Sequence, residues 1–475
     1  MTAEGTLAEV TPDERHPHRW AAMIVLILAF ALDLLNITVV NVALPTIQGD
    51  LDADPTELEW VSAAYLLAFA VALITAARLG DLWGRKKVFL IGLTAFGFAT
   101  VGCGLAQTTG WLIAARAAQG LAAATLTPQV MSILYTIFHG RERATVFGAF
   151  GFISGLAQAG GLLLGGTLIT ADLGGLGWRT IFLITTPAAA VLVVLAIRLV
   201  PESRSPGATR PRPLSAGLLT LGLVAIVFPL LEGQRYGWPI WCFLSAALGV
   251  LAVIALAYAE HRRPAWRTGA LLPLPLLRAR PVAVGLAVLL PAFAGFNGFL
   301  LVFAVWLQNG QGYSPSASGL TMAAFSAGAL SVAAFTGRLT VRYGRRVVLT
   351  GCALAAVGAL GVLTAAQTAG HPVPAWSVVP GLLALGAGIN LCIPPLVTLY
   401  LSAVPDEYAG DASGIWNTAQ QFAGAVGVAA LGAIFFSGTA DGHGAAFTAS
   451  IVVTALLLSA AAAFSLLLRA PDPVG

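Results

Sequence analysis

The chain has 475 residues, of which 58% are hydrophobic and only 10% charged, with a net charge of +4. A soluble domain carries about 25% charged residues, so a chain of this length could not cover a water-facing surface, and its mean hydropathy of +0.85 points to lipid as the solvent. The apolar runs are long and continuous, which excludes a porin-type barrel with its alternating strands.

Residues 1–19 are polar and read as a cytoplasmic tail. The run that follows is too long for the core of a cleavable leader, so 20–45 is read as the first span. A helix needs about 20 apolar residues to cross the hydrocarbon core. Thirteen more runs qualify, at 58–77, 88–106, 111–136, 144–169, 179–200, 214–231, 240–258, 282–307, 317–336, 347–368, 377–401, 412–437 and 445–468. The expected fold class is an all-α membrane protein with 14 transmembrane helices, and an even count puts both termini on one side.

Arg and Lys fix the orientation. With the N-terminus inside, 22 of them lie in inner segments and only Arg179 and Arg235 lie outside, a bias that places the basic loops in the cytoplasm. The first outer loop is acidic, with Asp50, Asp52, Asp54, Glu57 and Glu59. The four Cys sit in apolar runs without a CxxC partner, and the six His lie in loops or the tail. Neither pattern predicts a disulfide framework or a metal site.

Only Asp33 and Arg116 place a full charge well inside a span. Such a charge costs at least ~2.5–3.5 kcal/mol on insertion scales and marks function by default. Asp33 lies thirteen residues past Trp20, roughly 20 Å in, and Arg116 five residues past Trp111, roughly 7–8 Å from the other surface. Similar heights allow a direct or water-bridged pairing. Arg116 does not deprotonate, so Asp33 is the candidate proton carrier and Arg116 the group that tunes it.

The loop after span 2, ARLGDLWGRKK (77–87), is echoed after span 10 by GRLTVRYGRRV (337–347). Spans 1–6 therefore match spans 9–14, leaving 7 and 8 as an inserted pair. The expected domains are an N-terminal bundle (20–200), a linker with two inserted spans (201–281), a C-terminal bundle (282–468) and a cytoplasmic tail (469–475). The segment PESRSPGATRPRP (201–213) reads as the strap leaving the first bundle. Two repeated bundles with a site between them are a transporter architecture.

At this point the chain resembles a known family. NITVVNVALP (36–45), GDLWGRKK (80–87), RAAQGLAAATLTPQ (116–129), GWRTIFLITTP (177–187) and the long segment from Ile393 to Gly427 resemble the major facilitator superfamily, and within it the fourteen-span drug:proton antiporters. The resemblance implies that spans 1 and 4 line the cavity of the first bundle, that Arg116 takes part in proton transfer, and that Asp81, Gly84 and Arg85 form a gating latch. It also implies a G-P-x-x-G-G element in span 5, where Gly161, Gly165 and Gly166 are present and Leu162 replaces the Pro. A further departure is Asn36, at a position where the family usually carries Asp. Either Asp33, one turn earlier, has taken over that role, or coupling is weakened, or the substrate site is displaced.

The candidate substrate cavity comprises Asn36, Asn41, Gln119, Asn297, Phe296, Trp306, Asn390 and Tyr400. No P-loop, catalytic triad or metal-ligand constellation is present in the sequence. The chain is read as a transporter, not an enzyme, with no cofactor beyond the proton as coupling ion. The expected partners are a small-molecule substrate, protons and the lipid bilayer of a bacterial plasma membrane, with no nucleic acid, and the expected state is a monomer. The expected activity is proton-coupled efflux of small amphipathic compounds. Two alternatives are an importer or facilitator on the same fold and a non-transporting receptor or assembly partner.

Overall fold

A computed structural model describes residues 17–204, 212–262, 270–405, 408–439 and 442–468. Most of the two expected tails and residues 205–211 of the expected strap lie outside the described residues. Fourteen helices among those described are long and apolar enough to cross a membrane. In chain order they are α1 (Arg19–Leu51), α2 (Pro55–Trp83), α3 (Arg85–Gly104), α4 (Thr109–Ile137), α5 (Gly140–Ala171), α6 (Gly177–Leu199), α7 (Pro213–Glu232) and α8 (Ile240–Arg262). Then follow α9 (Arg280–Gly310), α10 (Pro315–Tyr343), α11 (Arg345–Thr368), α12 (Ala375–Ser402), α13 (Ala409–Gly438) and α14 (His443–Ser465). No strand occurs among the described residues.

Three of the helices, α2, α4 and α10, begin at a polar side-chain cap, Asp54, Thr108 and Ser314, and each starts before the expected apolar run. Asp54 accepts from the Glu57 amide at 2.8 Å while Glu57 accepts from the Asp54 amide at 3.0 Å. This reciprocal cap, followed by Pro55 at the first helical position, starts α2 three residues before the expected run. Glu59, counted with the acidic loop although it stands at the edge of the expected run, lies in the second turn of the helix and is buried. Asp50 likewise belongs to the last turn of α1, where it accepts from Trp178 Nε1 at 2.9 Å and pairs with Arg179 at 2.6 Å.

Helices α1–α6 and α9–α14 form two bundles. The repeat is visible in the local geometry. Gly84 and Gly344, in the two loop copies, both take a positive φ, +109° and +52°, a conformation that favours glycine. Lys86 Nζ donates to Ile197 O at the end of α6, and Arg345 donates to Leu466 O and Leu468 O at the end of α14. In each bundle a cation opening the third helix thus satisfies carbonyls left unpaired by the sixth. We call the face that holds these loops the basic face.

The bundles meet along α2–α13 and α5–α10. On the face opposite the basic one, Gln308 donates to Val42 O at 2.9 Å, Asn309 to Gln48 Oε1 at 2.9 Å, and the Ser316 amide to Thr170 Oγ1 at 3.2 Å. Along α5–α10 the contact reaches from that end to mid-helix, where a Cβ added at Gly155 would come within 3.1 Å of Leu330. A Cβ added at Gly166 would strike the Pro315–Ser316 backbone, whereas one added at Gly148 or Gly151 would meet nothing within 4 Å. The inserted pair α7–α8 is closed by Gly222 against Gly249. Its α7 packs against both α2 and α13, and α8 turns Phe243, Leu244, Leu248, Leu251 and Ile254 outward, as a helix bathed in lipid does.

Candidate functional site

Asp33 stands near the middle of α1, because that helix continues to Leu51. It lies ~21 Å from one end of the helix and ~27 Å from the other. It is 1% exposed, and Arg116 is 2% exposed. The two charges do not touch. Tyr65 of α2 stands between them: its hydroxyl donates to Asp33 Oδ1, and its ring lies under the Arg116 guanidinium, 4.5 Å from carbon to centroid. A cation over a buried ring is held by the ring quadrupole.

Arg116 is otherwise occupied by Val61 O at 3.1 Å and Gln119 Oε1 at 2.6 Å. Gln119 then donates to Thr100 Oγ1 at 2.8 Å and to Asn36 Oδ1 at 3.3 Å, and Asn36 donates to Leu32 O at 2.9 Å. The chain of contacts runs from α1 through α2 and α4 and back to α1, so Asp33 and Asn36 hold its two ends. Asn36 and Gln119, expected in the substrate cavity, are fully buried parts of this loop. A change of charge at Asp33 acts on the hold Tyr65 and Arg116 exert on their neighbours, because every member is buried and hydrogen-bonded.

The remaining cavity candidates divide. Asn41 and Asn297 donate within their own helices, to Ile37 O and Phe293 O, whereas Asn390 of α12 accepts from Thr336 Oγ1 of α10. Phe296 stacks on Phe325 with centroids 5.1 Å apart. Asn297 faces α13 and Leu66 of α2, since a Cβ on Gly424 would approach Leu66 Cδ1 to 3.2 Å and Asn297 Cγ to 3.3 Å. Phe296 and Asn297 therefore sit at or beside the seam between the bundles. Trp306 and Tyr400 do not. Trp306 is stacked on Phe447 at 4.0 Å, and Tyr400 donates to Ala412 O at 3.1 Å with Trp416 against its ring. Both are 1% exposed inside the second bundle, where large aromatics fill a core.

The expected latch residues are held within the first bundle. Asp81 accepts from Arg85 at 2.9 and 3.1 Å, and Arg85 also donates to Thr136 at 2.9 Å. The Glu202 carboxylate occupies the space a side chain at Gly84 would need. The residue that crosses to the second bundle is Arg78, one turn earlier, which pairs with Asp411 of α13 at 3.4 Å and donates to Ala270 O. The span-5 glycines serve two neighbours. A side chain at Gly161 or Gly165 would collide with Leu35, Thr38 and Val39 of α1, and one at Gly166 with α10. No group of three or more residues able to hold a metal occurs among the described residues.

A family profile described as Major Facilitator Superfamily matches residues 26–214 and 203–428. The chain belongs to the major facilitator superfamily. It is 37% identical to a probable actinorhodin transporter of Streptomyces coelicolor over 91% of this chain and 75% of that one. It is 34% identical to the puromycin resistance protein pur8 of Streptomyces alboniger over 95% and 92%, and 32% identical to the methylenomycin A resistance protein of Streptomyces coelicolor over 93% and 90%. Among solved structures, the xylose transporter XylE from E. coli superposes with a TM-score of 0.66 at 15% identity over 96% of this chain and 99% of that one. A bacterial homologue of the human lysosomal transporter Spinster, in an inward-facing conformation, gives 0.67 at 17% identity over 96% and 99%. These two likenesses concern the fold. As a member of this superfamily, the chain is a multi-pass membrane protein and a secondary transporter rather than an enzyme. The fourteen helices and these relatives agree with the drug:proton antiporter branch that the motifs resemble.

Proposed function

We propose that the chain exports small amphipathic compounds, drugs or self-made metabolites, in exchange for protons, as a monomer in the bacterial plasma membrane. The basic face and both termini lie in the cytoplasm, in keeping with the Arg and Lys asymmetry. The observation that carries the reading is Asp33: among the described residues the one acid near the middle of a span, 1% exposed, bonded to Tyr65 and one aromatic ring away from Arg116. Tyr65 and Arg116 favour its ionised form, while the apolar surroundings favour the proton. Cargo entering the seam beside Phe296 and Asn297 displaces this balance, and the proton leaves. The names of the relatives, all transport or resistance proteins, support export as the direction.

The hydrogen bonds that join the bundles on the face opposite the basic one support an outward-closed member of an alternating-access cycle. Inverted vesicles with an acid interior provide the test, with puromycin and methylenomycin A as first probes. Substrate must accumulate inside and dissipate the gradient, and Asp33→Asn must abolish both. Normal proton coupling in the Asp33→Asn protein would show the assignment to be wrong. Absence of gradient-driven uptake of any compound would remove the export reading.

A further inference from the structure

At the outer end of the α2–α13 seam lies a second sealed carboxyl group, outside the Asp33 network. Glu59 is 1% exposed, and its Oε2 is buried with no hydrogen-bond partner. Its carboxyl group rests against the backbone of α13 at Gly432, where an added Cβ would come within 2.7 Å of Cδ and Oε1. Glycine at this point of α13 is what makes room for the acid, and the acid fills the gap that glycine leaves.

The groups around it offer no counter-charge. The charged groups that act on it are Asp54, the N-cap of α2, and Glu232 of α7, and Glu57 of α2 is a third acid, turned back to the Asp54 amide. Glu232 accepts from Trp60 Nε1 at 2.8 Å, and Asp54 engages the exposed Arg235 at 3.8 Å. Helix α13 carries no charged residue in its outer half. On the α4 side, Arg116 is committed to Val61 O, Gln119 and the Tyr65 ring. An ionised carboxylate enclosed here would face two acids and an apolar wall, an arrangement whose desolvation nothing offsets.

We propose that Glu59 is a second proton-binding site, which takes up a proton from the outer compartment when the outer end of the α2–α13 seam closes and returns it there when the seam opens. The proposal rests on the alternating-access reading but not on Asp33. Because uptake and release occur on the same side, Glu59 adds nothing to the net exchange of protons for cargo. It sets how readily the outer face shuts, and external acid favours the closed form. The closed state holds the extra proton, so raising the pH must favour opening, by up to about tenfold in the open-to-closed ratio per pH unit for one linked proton.

The four native cysteines are buried, and a Cβ added at Gly49 or Gly444 meets open space. Spin labels at Gly49→Cys and Gly444→Cys therefore report the separation of the bundles at the outer face, in full-length protein in lipid nanodiscs. With otherwise native sequence, the long-distance population should grow as the pH rises. In Glu59→Gln, the neutral isostere, it should stay small across the same range. In Glu59→Asp the response should persist with a displaced midpoint. Asp33→Asn should keep the response while losing substrate-driven proton movement, which separates failure of the Glu59 site from failure of the export reading. A pH-independent separation in the native sequence, a native-like response in Glu59→Gln, no response in Glu59→Asp, or loss of the response in Asp33→Asn would each overturn the proposal.

Discussion

Tyr65 donates its phenolic hydrogen to the carboxylate of Asp33, and this contact joins the lone deep acid of the first bundle to the rest of the protein. Replacing Tyr65 by Phe keeps the ring beneath Arg116 and removes only the donor. A hydrogen bond to a charged group contributes about 1.5–3 kcal/mol. Gradient-driven uptake into inverted vesicles should therefore fall between about tenfold and a hundredfold, and the thermal unfolding temperature should fall as well, because the buried Asp33 acceptor loses its donor. Native rates in the Phe variant would exclude this hydrogen bond from the transport cycle.

Arg116 serves Val61 O, Gln119 and the Tyr65 ring together. A guanidinium does so with a planar fork, and an ammonium cannot. Arg116→Lys keeps the charge and leaves at least one buried acceptor unpaired, at about 1–3 kcal/mol. We expect a lower unfolding temperature in detergent together with a loss of transport. A Lys variant as stable and active as the native chain would show that charge alone is required there.

Arg78 and Asp411 hold the bundles together on the basic face, but the Asp411 side chain is 39% exposed. Solvent screening limits such a pair to about 0.2–1 kcal/mol. Asp411→Ala should raise the reactivity of an engineered inner-face cysteine toward a charged maleimide by no more than about fivefold. Arg78→Ala, which also releases Ala270 O, should have the larger effect. Equal effects would mean that the Ala270 contact does not contribute.

Gly166 meets the start of α10 on the face opposite the basic one, while Gly151 meets nothing within 4 Å. Forcing a side chain into a filled contact costs about 1–3 kcal/mol. Gly166→Val should hold the outer end of α5–α10 apart and suppress transport, while Gly151→Ala should transport normally. Spin-label distances across that seam, read beside vesicle uptake, check both.

The fourteen spans, the two bundles and the inserted pair were legible in the sequence because lipid imposes long apolar runs and loops repeat recognisable turns. Asp33 and Arg116 were legible because a full charge in an apolar run is conspicuous. Tyr65 was not, since a tyrosine in such a run reads as core until the register of α2 against α1 is known. Glu59 was assigned to a loop from its position at the edge of the apolar run. The D-P-T-E sequence of 54–57 is a reciprocal helix cap and could have moved the start of α2 before it. Arg78 was one of 22 inner cations, and nothing local distinguished it from those that only fix topology. Trp306 and Tyr400 were chosen for their polar tips, and only packing shows that both are enclosed.

Because α7 leans on α2 and α13 at once, one flank of the molecule is roofed by the extra hairpin and the other, along α5 and α10, is bare. The two seams between the bundles are therefore unequal: among the described residues α2–α13 is screened by α7, and α5–α10 has no such cover.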